Sequence, residues 1–121
     1  MSTILIADDN ASIRRSVRAC IDESSDGEVC GEAENGAEAV EKVRELHPDI
    51  VILDFRMPVL DGLRAANQIR SIAPDTKIIL FTMYASKPMM NYAQMFGVDQ
   101  VVSKGDGAEE LLAAIQAASH I

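Results

Sequence analysis

The segment Ile50-Val51-Ile52-Leu53-Asp54 is the clearest indication of how this chain folds. Four consecutive aliphatic residues that end at a carboxylate are typical of a strand that helices cover on both faces. A second run of this kind, Ile78-Ile79-Leu80-Phe81, follows further along the chain. The two runs therefore predict buried strands of a parallel sheet.

Five β-branched or aliphatic runs in all predict five strands. They are Thr3–Ala7, Glu28–Ala33, Ile50–Leu53, Lys77–Phe81 and Gln100–Ser103. Between them apolar residues recur at helical spacing, as at Ile13, Val17 and Ile21. Regular alternation of strand and helix favours a parallel sheet with right-handed crossovers. We predict one α/β domain over residues 1–121, with helices on both faces of the sheet.

Short polar signals mark where several of the helices begin. Asn10 is a candidate cap for the first helix, and Asp61 with the glycine after it predicts a turn and a helix start. Asn35 and Asp106 each stand three residues before a glutamate, which is the spacing of a capping box.

Composition limits the classes of function. The chain has 121 residues, 48% hydrophobic and 25% charged, which is the balance of one folded domain. Its net charge of −8 opposes contact with a phosphate backbone, so we expect no direct nucleic-acid binding by this segment. No apolar run approaches the ~18 residues of a membrane span and no signal peptide is evident, which predicts a cytoplasmic protein. Cys20 and Cys30 lack zinc-site spacing and are expected to be free buried thiols.

Polar side chains follow four of the predicted strands. Asp8 and Asp9 follow the first strand, Asp54 the third, Thr82 the fourth and Lys104 the fifth. Because the carboxyl ends of parallel strands meet at one edge of a sheet, we expect these five side chains to converge. Three neighbouring carboxylates repel one another and favour a cation, and an all-oxygen site with few fixed ligands suits Mg²⁺.

This set of groups predicts a Mg²⁺-dependent phosphoryl acceptor. A carboxylate can attack phosphorus to give an aspartyl phosphate, and Asp54 is the candidate nucleophile. Lys104 and Thr82 are suitable donors to the phosphoryl oxygens.

The ordered motifs resemble those of a response-regulator receiver domain of the CheY-like family. They are Asp8-Asp9, Asp54-x-x-Met57-Pro58-x-x-Asp61-Gly62, Thr82 and Ser103-Lys104, and the likeness covers essentially the whole chain. The resemblance implies a flavodoxin-like, doubly wound sheet in the order 2-1-3-4-5. It also implies phosphorylation of Asp54 by a sensor histidine kinase, in a regulatory domain that at most catalyses its own phosphorylation and dephosphorylation.

The resemblance further assigns roles to individual residues. Asp9, Asp54 and the backbone carbonyl of Arg56 would bind Mg²⁺ directly, and Asp8 would reach the ion through water. Thr82 would turn toward the phosphoryl group and Lys104 would pair with it, with Met83 beside them as a further switch residue.

The segment from Pro88 to Val98 carries no charged residue and is a candidate contact surface. In the family the fourth helix, fifth strand and fifth helix form the output face, for a second copy of the chain or for an effector domain. The candidate residues of that face are Met89, Met90, Tyr92, Met95 and Val101.

Two positions depart from the common receiver pattern. Val101 stands where many receivers carry an aromatic residue that swings inward on phosphorylation. Gly105 stands where many carry proline, which is more similar to receivers attached to LuxR-type helix-turn-helix domains. Transcription would then be regulated through an effector domain absent from these 121 residues.

Two alternative functions remain open. Val101 is compatible with a receiver-like interaction module that works without phosphorylation. An aspartate-nucleophile phosphatase is a second alternative, although such enzymes need an acid two residues after the nucleophile, where this chain has Arg56. A separate hypothesis is that Arg56 and Tyr84 flank the site and slow the loss of the phosphoryl group to water.

Overall fold

The computed structural model describes residues 2–24 and 27–119 and has ten helices and strands in strict alternation. The strands are β1 (Ser2–Ala7), β2 (Gly27–Ala33), β3 (Ile50–Leu53), β4 (Lys77–Thr82) and β5 (Gln100–Ser103). The helices are α1 (Ala11–Ser24), α2 (Gly36–Leu46), α3 (Gly62–Ile72), α4 (Lys87–Gln94) and α5 (Ala108–Ser119). A short 3-10 turn, Lys104–Asp106, joins β5 to the last helix.

The strands form one parallel sheet in the order β2-β1-β3-β4-β5, as expected. All four residues of β3 are buried, and β3 pairs with β1 on one side and β4 on the other. The sheet is therefore doubly wound and flavodoxin-like. The predicted strand boundaries are correct to within one residue.

Alternate residues of each strand build two separate cores. On one face, Leu5, Val51 and Leu80 pack with residues of α2, α3 and α4. On the other face, Ile52 and Ile79 pack with residues of α1 and α5. Burial on both faces explains why the central strands are continuously apolar.

Side-chain caps fix the starts of the helices. Asn35 Oδ1 accepts a hydrogen bond from the backbone N–H of Glu38 at 2.8 Å, and Asp61 Oδ1 accepts one from Arg64 N–H at 2.9 Å. Asn10 Oδ1 likewise accepts from Ser12 N–H. These three predicted starts are confirmed.

The capping role predicted for Asp106 is wrong. Asp106 lies inside the 3-10 turn, and α5 begins two residues later at Ala108. The hydroxyl of Ser103 accepts from Gly105 N–H and starts this turn directly after β5. Gly107, with φ of 84°, then separates the turn from the helix.

The loop that follows β3 is packed tightly because two glycines allow close approach of the backbone. A Cβ atom on Gly62 would overlap the carbonyl oxygen of Asp54, and one on Gly36 would overlap the carbonyl oxygen of Leu60. Gly62 N–H also donates to Phe55 O at 2.8 Å. The start of α3 thus packs against the backbone of Asp54 and Phe55 and fixes its position.

The cysteines are less buried than the sequence suggested, whereas the helix of the uncharged segment is largely exposed. Cys20 and Cys30 are free thiols and are half-buried. Helix α4 spans only eight residues, of which Ala93 alone is buried. Among the described residues, none of the helices has the length and apolar character needed to cross a membrane.

Candidate functional site

The polar side chains expected at the carboxyl edge of the sheet do lie together there. The ammonium group of Lys104 lies 2.8 Å from Asp8 Oδ2 and 3.2 Å from Asp54 Oδ1. Asp8, Asp9 and Asp54 each place one carboxylate oxygen within 4.8 Å of the others. The sheet order brings them together, because β1 and β3 are neighbours at its centre.

Burial differs sharply among the three acids. Asp8 is 3% exposed and Asp54 is 8% exposed, whereas Asp9 lies at the surface. Burial and the neighbouring charge of Asp8 raise the pKa of Asp54, and Lys104 offsets part of this effect. Burial acts to lower the pKa of Lys104, but Asp8 and Asp54 raise it overall. The lysine therefore stays cationic and partly neutralises two buried acids.

Thr82 ends β4 and is fully buried at this edge. Its hydroxyl oxygen accepts a hydrogen bond from Tyr84 N–H at 3.1 Å, which fixes the turn after the strand. Accepting this bond leaves the hydroxyl proton available for donation. The side chain of Met83, by contrast, is 67% exposed and belongs to the surface.

Two aromatic side chains and an arginine pack together beside the acids. The guanidinium carbon of Arg56 lies 4.6 Å from the centre of the Tyr84 ring, and Phe55 meets the same ring edge-on at 6.2 Å. An open cleft of about 580 Å³ runs beside this group, with Asp9 and Asp61 in its wall. The cleft gives solvent and ligands access to the exposed acid.

The chemistry of the cluster fits a hard divalent cation. All the ligand atoms are carboxylate oxygens, and one acid faces solvent, so a bound ion could keep several water molecules. Mg²⁺ is the ion most suited to such a site.

The candidate output residues divide into two groups. Met90 and Tyr92 are exposed on α4, and Met95, which caps its C-terminal end, is 78% exposed. Met89 and Val101 are half-buried and pack against the core formed with α2 and α3. The first group lies on the outer surface, whereas helical periodicity turns Met89 toward the sheet.

Arg14 contacts the backbone of the acid cluster, a contact that the sequence analysis did not predict. Its Nη1 donates to the backbone carbonyl of Asp8 at 2.6 Å. In the sequence, Arg14 looks like any charged residue of an amphipathic helix, and its distance from Asp8 along the chain indicates no contact. The contact becomes visible only when α1 is placed beside β1 and β2.

The profile of the response regulator receiver domain family matches residues 4–116. The chain belongs to this family. As a receiver domain, it is the regulatory part of a two-component response regulator, and the acid cluster lies where receivers bind Mg²⁺.

Individual relatives of this receiver are of more than one kind. It is 42% identical to a protein-glutamate methylesterase/protein-glutamine glutaminase of Methanosarcina mazei, over 84% of this chain and 29% of that protein. It is 31% identical to the response regulator protein VraR of Staphylococcus saprophyticus, over 93% of this chain and 54% of that protein. The chain thus spans less than two thirds of the length of these curated relatives.

A solved structure gives the same fold. A two-component response regulator of the LuxR family from Aurantimonas matches with a TM-score of 0.93 and 30% identity, over 98% of this chain and 85% of that one. Similarity to LuxR-family receivers was expected, whereas similarity to methylesterases was not.

Proposed function

We propose that residues 1–121 act as a single phosphorylatable receiver that takes a phosphoryl group on Asp54 from a sensor histidine kinase. The observation that carries this proposal is the position of Asp54. Its buried carboxylate lies between two further acids and a lysine that contacts it at 3.2 Å. Such a group has a nucleophilic oxygen, a place for a cation and a positive partner for the incoming phosphate.

The transfer itself is a substitution at phosphorus. A carboxylate oxygen of Asp54 forms the new P–O bond as the P–N bond to the donor imidazole breaks, and a proton restores the neutral imidazole. Lys104 carries the positive charge that faces the phosphoryl oxygens, and the Thr82 hydroxyl donates a hydrogen bond to one of them. Because Lys104 is already held between Asp8 and Asp54, little reorganisation is needed.

Asp9, Asp54 and the backbone carbonyl of Arg56 would hold Mg²⁺ directly, with Asp8 reaching it through water. Bound there, the ion neutralises charge on the acids and on the phosphoryl group. Asp9 faces the open cleft, so it is accessible to an ion arriving from solvent.

The output would travel from Thr82 through the adjoining loop to α4. Tyr84 N–H is bonded to the Thr82 hydroxyl, so any turn of that hydroxyl toward a phosphate would release the backbone at Tyr84. Met83 and Tyr84 are both exposed beside α4, which has few buried residues. The loop and this helix are therefore held to the core by few buried side chains.

The surface that changes is the face formed by α4, β5 and α5, for a second copy of the chain or an effector domain. Given the LuxR-family likeness, we favour regulation of transcription through an effector outside these residues. The receiver would act in the cytoplasm, where kinases of this kind transfer phosphate. Its own charge of −8 disfavours direct contact with DNA.

A second candidate function is an interaction module that does not depend on phosphorylation. Val101 favours it, since this half-buried valine packs against the core and lacks the reach of an aromatic side chain. A phosphatase activity is disfavoured by Arg56, an exposed cation two residues after Asp54 where an acid is needed.

The test is incubation with acetyl phosphate and Mg²⁺, followed by intact mass measurement. We expect one labile phosphoryl adduct that requires Mg²⁺ and is absent from Asp54→Asn. Circular dichroism of both proteins checks that each is folded. A folded protein that binds Mg²⁺ and gains no adduct would favour the phosphorylation-independent module.

A further inference from the structure

Arg14 joins the acidic loop after β1 to the edge strand of the sheet. Its Nη1 donates to Asp8 O at 2.6 Å, and its Nε donates to Glu32 Oε1 at 2.9 Å. The side chain is only 11% exposed. Glu32 lies on β2, paired with Ile6 of β1, so its carboxylate is a firm anchor point.

The backbone that Arg14 contacts carries two of the three acids. Asp8 N–H donates to Ala33 O at 3.0 Å, a backbone hydrogen bond to the end of β2. The carbonyl group of Asp8 belongs to the peptide bond between Asp8 and Asp9. The orientation of this peptide bond therefore decides where the exposed Asp9 carboxylate lies relative to Asp8 and Asp54.

We propose that Arg14 is a positioning residue for the cation site, holding the Asp8–Asp9 peptide in the orientation that brings the three carboxylates together. The inference rests on the proposed Mg²⁺-dependent function and extends it to a residue outside the acid cluster. Arg14 touches neither a phosphoryl group nor the ion and acts through the backbone alone.

The chain contains a matched control in Arg18, one helical turn further along α1. Its Nε donates to the other oxygen of Glu32 at 3.0 Å, so the two arginines share one partner. Within residues 2–24 and 27–119, the hydrogen bonds of the Arg18 guanidinium go to Glu32, whereas Arg14 also reaches Asp8 O and lies 3.7 Å from a carboxylate oxygen of the exposed Glu34, a pair whose charge lysine preserves. A lysine substitution at either position keeps the positive charge and removes the planar guanidinium group with its several N–H donors.

The experiment is calorimetric titration of Mg²⁺ into wild type, Arg14→Lys and Arg18→Lys at fixed ionic strength. We expect Arg14→Lys to weaken Mg²⁺ binding about tenfold, as for other residues that orient a ligand, and Arg18→Lys to stay within about twofold. Melting temperatures without Mg²⁺ and amide NMR shifts of Asp9 and Asn10 complete the set. Only Arg14→Lys should move those shifts, and both variants should remain folded at the temperature of the titration.

The outcomes separate this inference from the proposed function. Equal Mg²⁺ affinity in wild type and Arg14→Lys would overturn the positioning role and leave the acceptor function standing. Equal weakening by both variants would also overturn it, because the shared contact with Glu32 would then be responsible. If wild type binds no Mg²⁺ at all, both ideas fail. Arg14→Gln gives a second check, because loss of a positive charge by itself should strengthen Mg²⁺ binding. Weaker binding by this variant supports the positioning role, and stronger binding contradicts it.

Discussion

Lys104 Nζ lies nearer to Asp8 than to Asp54, at 2.8 Å against 3.2 Å, although it is Asp54 that is expected to react. The lysine is thus shared between two buried acids before any phosphate arrives. Asp8 holds it in place, and Asp54 benefits from its charge. This arrangement has consequences for stability that can be measured without a phosphodonor.

We expect Lys104→Met to destabilise the domain by about 3 kcal/mol without Mg²⁺, because two buried carboxylates lose their cation. Urea unfolding measures the loss. Mg²⁺ should recover part of it, since the ion supplies the missing positive charge. The double variant with Asp8→Asn should lose less than the lysine variant alone. An unchanged unfolding free energy in Lys104→Met would contradict the view that Lys104 neutralises the two buried acids.

Asp54→Asn should stabilise the protein at pH 7 in the absence of Mg²⁺. Burial and the charge of Asp8 raise the pKa of Asp54 above its unfolded value of about 3.9. Ionisation therefore costs stability as pH rises through the folded pKa, and the cost is absent below the unfolded pKa. We expect the melting temperature to rise by about 4 °C at pH 7, and the gain to vanish near pH 3.5.

The sign of this pH dependence is the decisive feature. Asp99→Asn serves as the control, because its carboxylate pairs with Arg70 outside the acid cluster. That variant should lose stability at pH 7. If the gain in melting temperature of Asp54→Asn instead grows toward acid pH, ionisation of Asp54 does not cost the folded protein stability.

Arg56 and Tyr84 form a stacked pair at 4.6 Å beside the acceptor. We expect replacement of both by alanine to shorten the lifetime of the phosphoform about fivefold, which corresponds to ~1 kcal/mol of barrier, because water gains access to phosphorus. Decay of the adduct followed by intact mass gives the rate. Met95→Ala, far more exposed and outside the pair, should leave the lifetime unaltered. Equal decay of all three proteins would remove the shielding role.

Val59 has a φ of 71° and is 81% exposed, in the loop that carries Asp54. A β-branched residue in the left-handed region costs about 1–2 kcal/mol, and little packing is lost when it is removed. Val59→Gly should therefore raise the unfolding free energy by about 1 kcal/mol after the entropy cost of glycine. Val59→Ala should gain less. Thermal unfolding of the series checks the order, and a loss on substitution by glycine would contradict the strain.

Much of the site was visible in the sequence because strand ends are local signals. Asp8, Asp54, Thr82 and Lys104 each follow an apolar run, and the parallel topology required by the alternating pattern brings such ends together. Helix caps at Asn35 and Asp61 were equally local. Asp106 was misjudged because the same spacing fits a 3-10 turn, and only the hydroxyl of Ser103 decided between them.

The period of the apolar residues along the chain is enough to predict the five strands and the set of polar groups at their ends. How those groups share partners depends on the tertiary structure. Lys104 and Asp8 are 96 positions apart, and Arg14 meets Glu32 across two elements. Such contacts depend on the order, register and packing of whole elements, so no local pattern encodes them. The way α4 lies on the sheet likewise decides that Met89 is turned toward the core while Met90 faces solvent.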